Sequence, residues 1–300
     1  MPMTSLPPSL IVSAFFLGLM FSSSIAVAES GLSAESREYK LLLKPGRLSD
    51  KQQAMDYYGQ AIQQAAIQSG LTVKPAKHPL KQKTSLYTYL DTVDQQLNAK
   101  HIILRVVQPL KNNQPEDKNN VTLKYRVSGD KIVKASELNV SPSYPVVVKF
   151  ETDVVGFIDA KVGHNEQQNS LSAQIKGLPV IPARTVLSQY AELFPTLAKL
   201  GIKPDSPLNI VGSTILNEEL SLGSLHFTDG TKTKLAMVIW SDNQSHKLIV
   251  GEISFAINLK PESPARVEQS QKFFDALQQQ LKDDLLPGAT KTSVVYQRDN

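Results

Sequence analysis

The chain has 300 residues, 41% of them apolar, which is enough to bury a real core in one large or two modest domains. Its net charge of +4 and pI near 9.0 favour anionic partners only mildly, and with no run of consecutive Lys or Arg no nucleic-acid partner is expected. The absence of cysteine excludes disulfides, thiol catalysis and Cys-ligated zinc or iron–sulfur centres.

Residues 1–28 carry no charged side chain and hold an apolar run, IVSAFFLGLMF, followed by Ser-rich sequence and Ala26-Val27-Ala28. This pattern reads as an export signal cleaved before Glu29, which implies a periplasmic or extracellular mature protein, residues 29–300, with no stable membrane span. An uncleaved anchor is the runner-up, although the run is short against the roughly 20 residues that a span needs. No Cys follows the run, so a bacterial lipoprotein is excluded.

Residues 38–44 read as the first strand, with Tyr39, Leu41 and Leu43 on one face and Glu38, Lys40, Leu42 and Lys44 on the other. Pro45-Gly46 ends it. A helix capped by Ser49 runs to about Ser69 with an apolar stripe of Ala54, Tyr57, Tyr58, Ala61, Ile62 and Ala65. Leu86 to Leu90 form a strand, a helical turn starts near Asp91-Thr92, and a strand holding Arg105 follows. After a polar loop over residues 109–120, Val121, Leu123, Tyr125 and Val127 alternate with Thr122, Lys124 and Arg126, giving a greasy face and a basic one.

Residues 146–155 alternate again and place Lys149, Glu151 and Asp153 on one face. The Gln-, Asn- and Ser-rich stretch 162–177 reads as a linker, and residues 182–200 as a helix ended or kinked by Pro195. Strands are expected over residues 208–216, 223–227, 232–242 (with the single Trp240) and 251–259. Ser263-Pro264 starts a helix to about Leu286, and Pro287-Gly288 stops it before a last strand, TKTSVVY.

The succession Tyr89-Leu90-Asp91-Thr92, Leu97, Leu104-Arg105 and Thr122-Leu123-Lys124 resembles the YxDT…L…LR…TLK order of the CYTH domain, the triphosphate tunnel metalloenzymes. The resemblance implies an α+β fold: an eight-stranded antiparallel tunnel-like β-barrel with helices outside and a polar lumen that binds a triphosphate and a divalent metal. Inorganic triphosphatases, thiamine-triphosphatases, class IV adenylate cyclases and RNA triphosphatases belong to that family. It covers about residues 38–296, and it implies phosphate contacts from Lys44, Arg105, Lys124, Lys149 and Lys291 and metal ligands Glu151, Asp153 and Glu252 for Mg²⁺ or Mn²⁺.

This chain departs from the family at the first strand, where the family has Glu-x-Glu-x-Lys. With Lys44 as the Lys, the two Glu positions hold Lys40 and Leu42. Shifted by two, Glu38 takes the first Glu, while Lys40 and Leu42 take the second Glu and the Lys. In either register Lys40 enters the lumen, where it opposes metal binding. Lys149-x-Glu151-x-Asp153 resembles an Arg-x-Glu-x-Glu strand, only Glu252 remains of a Glu-x-Glu-x-Glu strand, and Lys291 and Tyr296 match a closing SKxxxGY strand with Val295 in place of Gly.

The expectation is a diverged tunnel that binds a phosphorylated or polyanionic small ligand with weak or no catalysis. The alternatives are a metal-dependent inorganic triphosphatase and a non-catalytic envelope interaction module. Asp91 and Tyr89 either hold their turn or touch ligand. The five histidines form no HExxH or close pair, and no P-loop, G-x-G-x-x-G or G-x-S-x-G motif occurs.

Overall fold

The computed structural model describes residues 34–129, 138–180 and 185–297; the leader read over residues 1–28 lies outside them. The strands are β1 (Ser36–Leu43), β2 (Thr72–Lys74), β3 (Lys83–Asp91), β4 (Ile102–Lys111), β5 (Gln114–Pro115), β6 (Lys118–Ser128), β7 (Val146–Val155), β8 (Glu166–Pro179), β9 (Thr185–Val186), β10 (Pro207–Ile210), β11 (Ile215–His226), β12 (Lys232–Asp242) and β13 (Leu248–Asn258). Helices α1 (Lys51–Gln68), α2 (Gln96–Ala99), α3 (Leu187–Ala191), α4 (Pro264–Leu281) and α5 (Lys291–Gln297) accompany them.

Nine of the strands form a closed ring in the order β11-β12-β13-β1-β7-β8-β6-β4-β3, and β3 pairs back onto β11 to seal it. The expected eight-stranded antiparallel barrel is therefore corrected to a nine-stranded mixed one, because β1 runs parallel to β7 and antiparallel to β13. β1 sits between partners remote in sequence, so no hairpin forces it to be antiparallel to both.

The polar stretch read as a linker is most of β8, a 14-residue strand. Its Leu171, Ala173 and Ile175 are buried against the outer layer, while Gln168, Ser170, Ser172 and Gln174 alternate with them on the inner face. A strand lining a polar lumen has a linker's composition, and only its two-residue period gives it away. The loop expected over residues 109–120 is likewise mostly strand. Asn112 (φ 52°) and Asn113 (φ 62°) make a two-residue turn that pairs Lys111 with Gln114.

Two layers cover the barrel. On one side α1 and α4 lay Tyr58, Ile62, Phe273, Phe274 and Leu277 over the outer side chains of β1, β11, β12 and β13. On the other, α3 and the 3₁₀ segment Pro195–Lys199 bring Leu187, Tyr190 and Leu197 onto β4, β6 and β8. Of the helix expected over residues 182–200, the described part is thus two short pieces, with Pro195 opening the second. α1 is capped by Asp50, whose side chain accepts from Gln53 N at 3.0 Å, because Ser49 is taken up in the 3₁₀ turn Pro45–Ser49. A bulge at Ser221/Gly223 lets β2 dock on β11: Gly223 has φ +116°, and a Cβ there would lie 2.1 Å from the Lys74 carbonyl oxygen. No helix among the described residues is long and apolar enough to cross a membrane.

The stretch expected as a closing strand is α5. Thr290 and Ser293 cap it reciprocally: Ser293 Oγ accepts from Thr290 N at 2.8 Å, and Thr290 Oγ1 accepts from Ser293 N at 3.1 Å. These bonds and the burial of Val295 and Tyr296 outweigh the strand preference of Val294-Val295-Tyr296.

Candidate functional site

Strand alternation decides what enters the lumen. Tyr39, Leu41 and Leu43 of β1 face the outer helices, so Glu38, Lys40 and Leu42 face inward. The same rule sends Arg105 of β4, Thr122, Lys124 and Arg126 of β6, Val147, Lys149, Glu151 and Asp153 of β7, and Glu252 of β13 to the inside. With Lys291 of α5 they line a cavity of about 260 Å³. Among the described residues that line it, six are basic and four acidic. Short serines of β8 leave room for it: Ser172 lies opposite both Lys124 and Lys149, and Ser170 opposite both Arg126 and Glu151.

The parallel β1–β7 register sets Glu38 beside Asp153 and organises the charges. Asp153 is fully buried and takes three cations: Lys40 Nζ at 2.8 Å, Lys124 Nζ at 3.1 Å and Arg126 at 3.6 Å. Lys40 Nζ also lies 2.9 Å from Glu38 Oε2. Burial alone would raise the Asp153 carboxyl, but Lys124, Lys40 and Arg126 hold it well below the usual carboxylate range. Burial likewise works against the Lys40 ammonium, yet Asp153, Glu38 and Glu252 outweigh it and keep Lys40 charged well above a lysine's ordinary range. For Lys124 burial wins, helped by Arg126 and Lys40, and its pKa falls to about 8.

Arg105 lies over the Tyr87 ring at 4.8 Å. Its Nε, the Arg126 Nε and the Gln168 Oε1 are buried around the cavity with no hydrogen-bond partner among the described residues. Glu38, Glu151 and Asp153 bring carboxylate oxygens within 4.8 Å of one another, the kind of convergence a hard divalent ion requires.

The other half of the lumen is filled by protein. Leu42, Tyr89, Val238, Trp240 and Val250 pack there with Val295 and Tyr296 of α5, which closes that end. Trp240 Nε1 donates to Asn217 Oδ1 at 2.7 Å. Lys291 sits at the seam between the halves, 2.8 Å from Glu252 and 5.1 Å from the Trp240 ring centre. Asp91 anchors both the plug and the turn that follows it in the chain. Its carboxylate accepts from the amides of Thr92, Leu97 and Asn98 at 2.7, 2.8 and 2.9 Å, and from the Tyr296 hydroxyl at 3.1 Å. Asp91 therefore holds the turn, while Tyr89 reaches the cavity wall.

Of the five residues expected on phosphate, Arg105, Lys124, Lys149 and Lys291 line the cavity. Lys149 stands at its mouth, with its side chain 60% exposed and 3.9 Å from Glu151. Lys44 does not join them: β1 ends at Leu43, and the exposed Lys44 ammonium donates to the Asp283 carbonyl at 3.0 Å. Of the registers weighed for the first strand, the one with Glu38 as its first acid is thus the one whose residues face the lumen. Among the expected metal ligands, Glu151 and Asp153 converge with Glu38, whereas Glu252 pairs with Lys291 instead. Arg126, which the alternation places on the basic face with Lys124 but which is not among the residues expected on phosphate, also lines the cavity.

No family model and no curated protein matches the chain. Among solved structures it is similar to a protein from Hippeastrum with a dominant triphosphatase activity (14% identity, TM-score 0.43, covering 87% of this chain and 94% of that one). It is also similar to a Bacillus halodurans protein provisionally assigned as an adenylate cyclase (14%, TM-score 0.39, 86% and 97%). A Pyrococcus horikoshii protein gives 13% identity and a TM-score of 0.32 over 80% and 89%.

Proposed function

We propose that this chain is a diverged triphosphate tunnel protein whose lumen binds a phosphorylated or polyanionic small ligand with little or no hydrolysis. One observation carries the reading: Arg105 and Arg126 line a cavity where basic side chains outnumber acidic ones, and their buried Nε donors have no hydrogen-bond partner among the described residues. A buried polar group left unpaired costs roughly 1–3 kcal/mol, and more when charged. A phosphate chain removes that cost, because its oxygens accept from several directions at once. The leader reading of residues 1–28 extends the proposal to a compartment outside the cytoplasm.

A metal-dependent triphosphatase is the second reading, favoured by the approach of Glu38, Glu151 and Asp153. One experiment separates the two. Tripolyphosphate titrated into the purified chain in a calorimeter binds with about one-to-one stoichiometry. The same mixture with Mg²⁺ or Mn²⁺ releases phosphate no faster than buffer. No binding heat refutes the tunnel-ligand reading, and metal-dependent release that is lost in Asp153→Asn establishes the triphosphatase.

A further inference from the structure

The acidic side of the cavity has the spacing of a metal site, and a lysine already fills it. Glu38, Glu151 and Asp153 converge within 4.8 Å. Into that gap β1 sends Lys40, two residues after Glu38 and so on the same face, and its ammonium touches Asp153 at 2.8 Å and Glu38 at 2.9 Å. Lys124 and Arg126 of β6 approach Asp153 from the other side of β7 than Lys40 does. Among the described residues three carboxylates thus meet three cations, which leaves no net negative charge there to draw in a divalent ion. Any such ion would have to displace an ammonium that is hydrogen-bonded to Asp153 and ion-paired with Glu38, so the donor set as it stands does not fit a metal.

We infer that Lys40 is a resident cation: it occupies the place between Glu38 and Asp153 that a divalent ion would need, so the lumen holds its anionic ligand without metal, and removing this one ammonium exposes a latent divalent-ion site. The ligand half of this inference rests on the anion-tunnel reading. The cation half does not.

The test titrates Mn²⁺, with no phosphate present, into the full chain and three variants, read by calorimetry and by the loss of free-ion electron paramagnetic resonance signal. The wild type is expected to take up no stoichiometric Mn²⁺ at millimolar concentration. Lys40→Gln takes up one ion at least tenfold more tightly, and Lys40→Gln with Asp153→Asn loses it again. Lys40→Arg, which keeps the charge and guards against a packing artefact, excludes Mn²⁺ as the wild type does. In the second arm, tripolyphosphate binds the wild type in EDTA.

Stoichiometric Mn²⁺ in the wild type overturns the inference, as does a folded Lys40→Gln that binds none. If Lys40→Gln does not fold, Lys40→Met takes its place with the same two readings. Failure of tripolyphosphate to bind in EDTA, when it binds with Mg²⁺ present, overturns the metal-free claim. Failure to bind under both conditions removes the anion-tunnel reading while the Mn²⁺ result stands on its own.

Discussion

The two halves of the lumen are made by the same strand period and come out opposite. On the β11–β13 side the inward positions are satisfied internally: Trp240 donates to Asn217, Asn217 donates to Ser85 Oγ at 3.3 Å, and the Tyr87 and Tyr89 rings lie 5.8 and 6.0 Å from Trp240. On the β4–β8 side the inward positions leave Arg105 Nε, Arg126 Nε and Gln168 Oε1 without hydrogen-bond partners among the described residues. A barrel interior that completes its own hydrogen bonds is a wall, and one that does not is built around something else. Lys291, touching both Glu252 and Trp240, marks the border.

Trp240→Ala breaks the comparison on its structural side. A large buried side chain is lost from the filled half, and stability in denaturant titration is expected to fall by about 3–5 kcal/mol while the fraction still folded binds tripolyphosphate within about threefold of wild type. Arg105→Ala breaks it on the other side. Ligand affinity measured by calorimetry drops by about 2–3 kcal/mol, roughly 30- to 150-fold, with a far smaller change in stability than Trp240→Ala gives.

The pH dependence sharpens the distinction. Burial, then Arg126 and Lys40, lower Lys124 to about 8, so this cation is charged below that pH and neutral above it. Affinity for a polyanion is therefore flat below about pH 7 and falls toward tenfold per unit as pH rises through 8, and binding near pH 8 takes up a proton, measurable by repeating the titration in buffers of different ionisation heat. The smallest effect is expected at the mouth: Lys149 is largely exposed, so Lys149→Ala costs less than about 1 kcal/mol of affinity, and most of that loss disappears at high salt.

Where alternation was strict, the sequence was read to the residue. β7 over Val146–Val155 and β12 over Lys232–Asp242 have the expected boundaries, and with them the inward direction of Lys149, Glu151 and Asp153. The failures share a cause: local composition misleads where a distant partner decides. β8 looked like a linker because half of it faces a polar cavity, and α5 looked like a strand because its Val and Tyr are buried in the lumen's end. Lys44 lay on the correct face by parity but one residue past the end of β1, where the chain turns outward to Asp283. Glu38's place among the acids depends on the parallel β1–β7 register, which nothing local encodes.

The most direct measurement is a crystal structure of the chain grown with tripolyphosphate. Phosphoryl oxygens within hydrogen-bond distance of Arg105 Nε and Arg126 Nε, with Trp240 and α5 unmoved, are the predicted result. Density for the anion elsewhere, with no phosphoryl oxygen near either Nε atom, would contradict it.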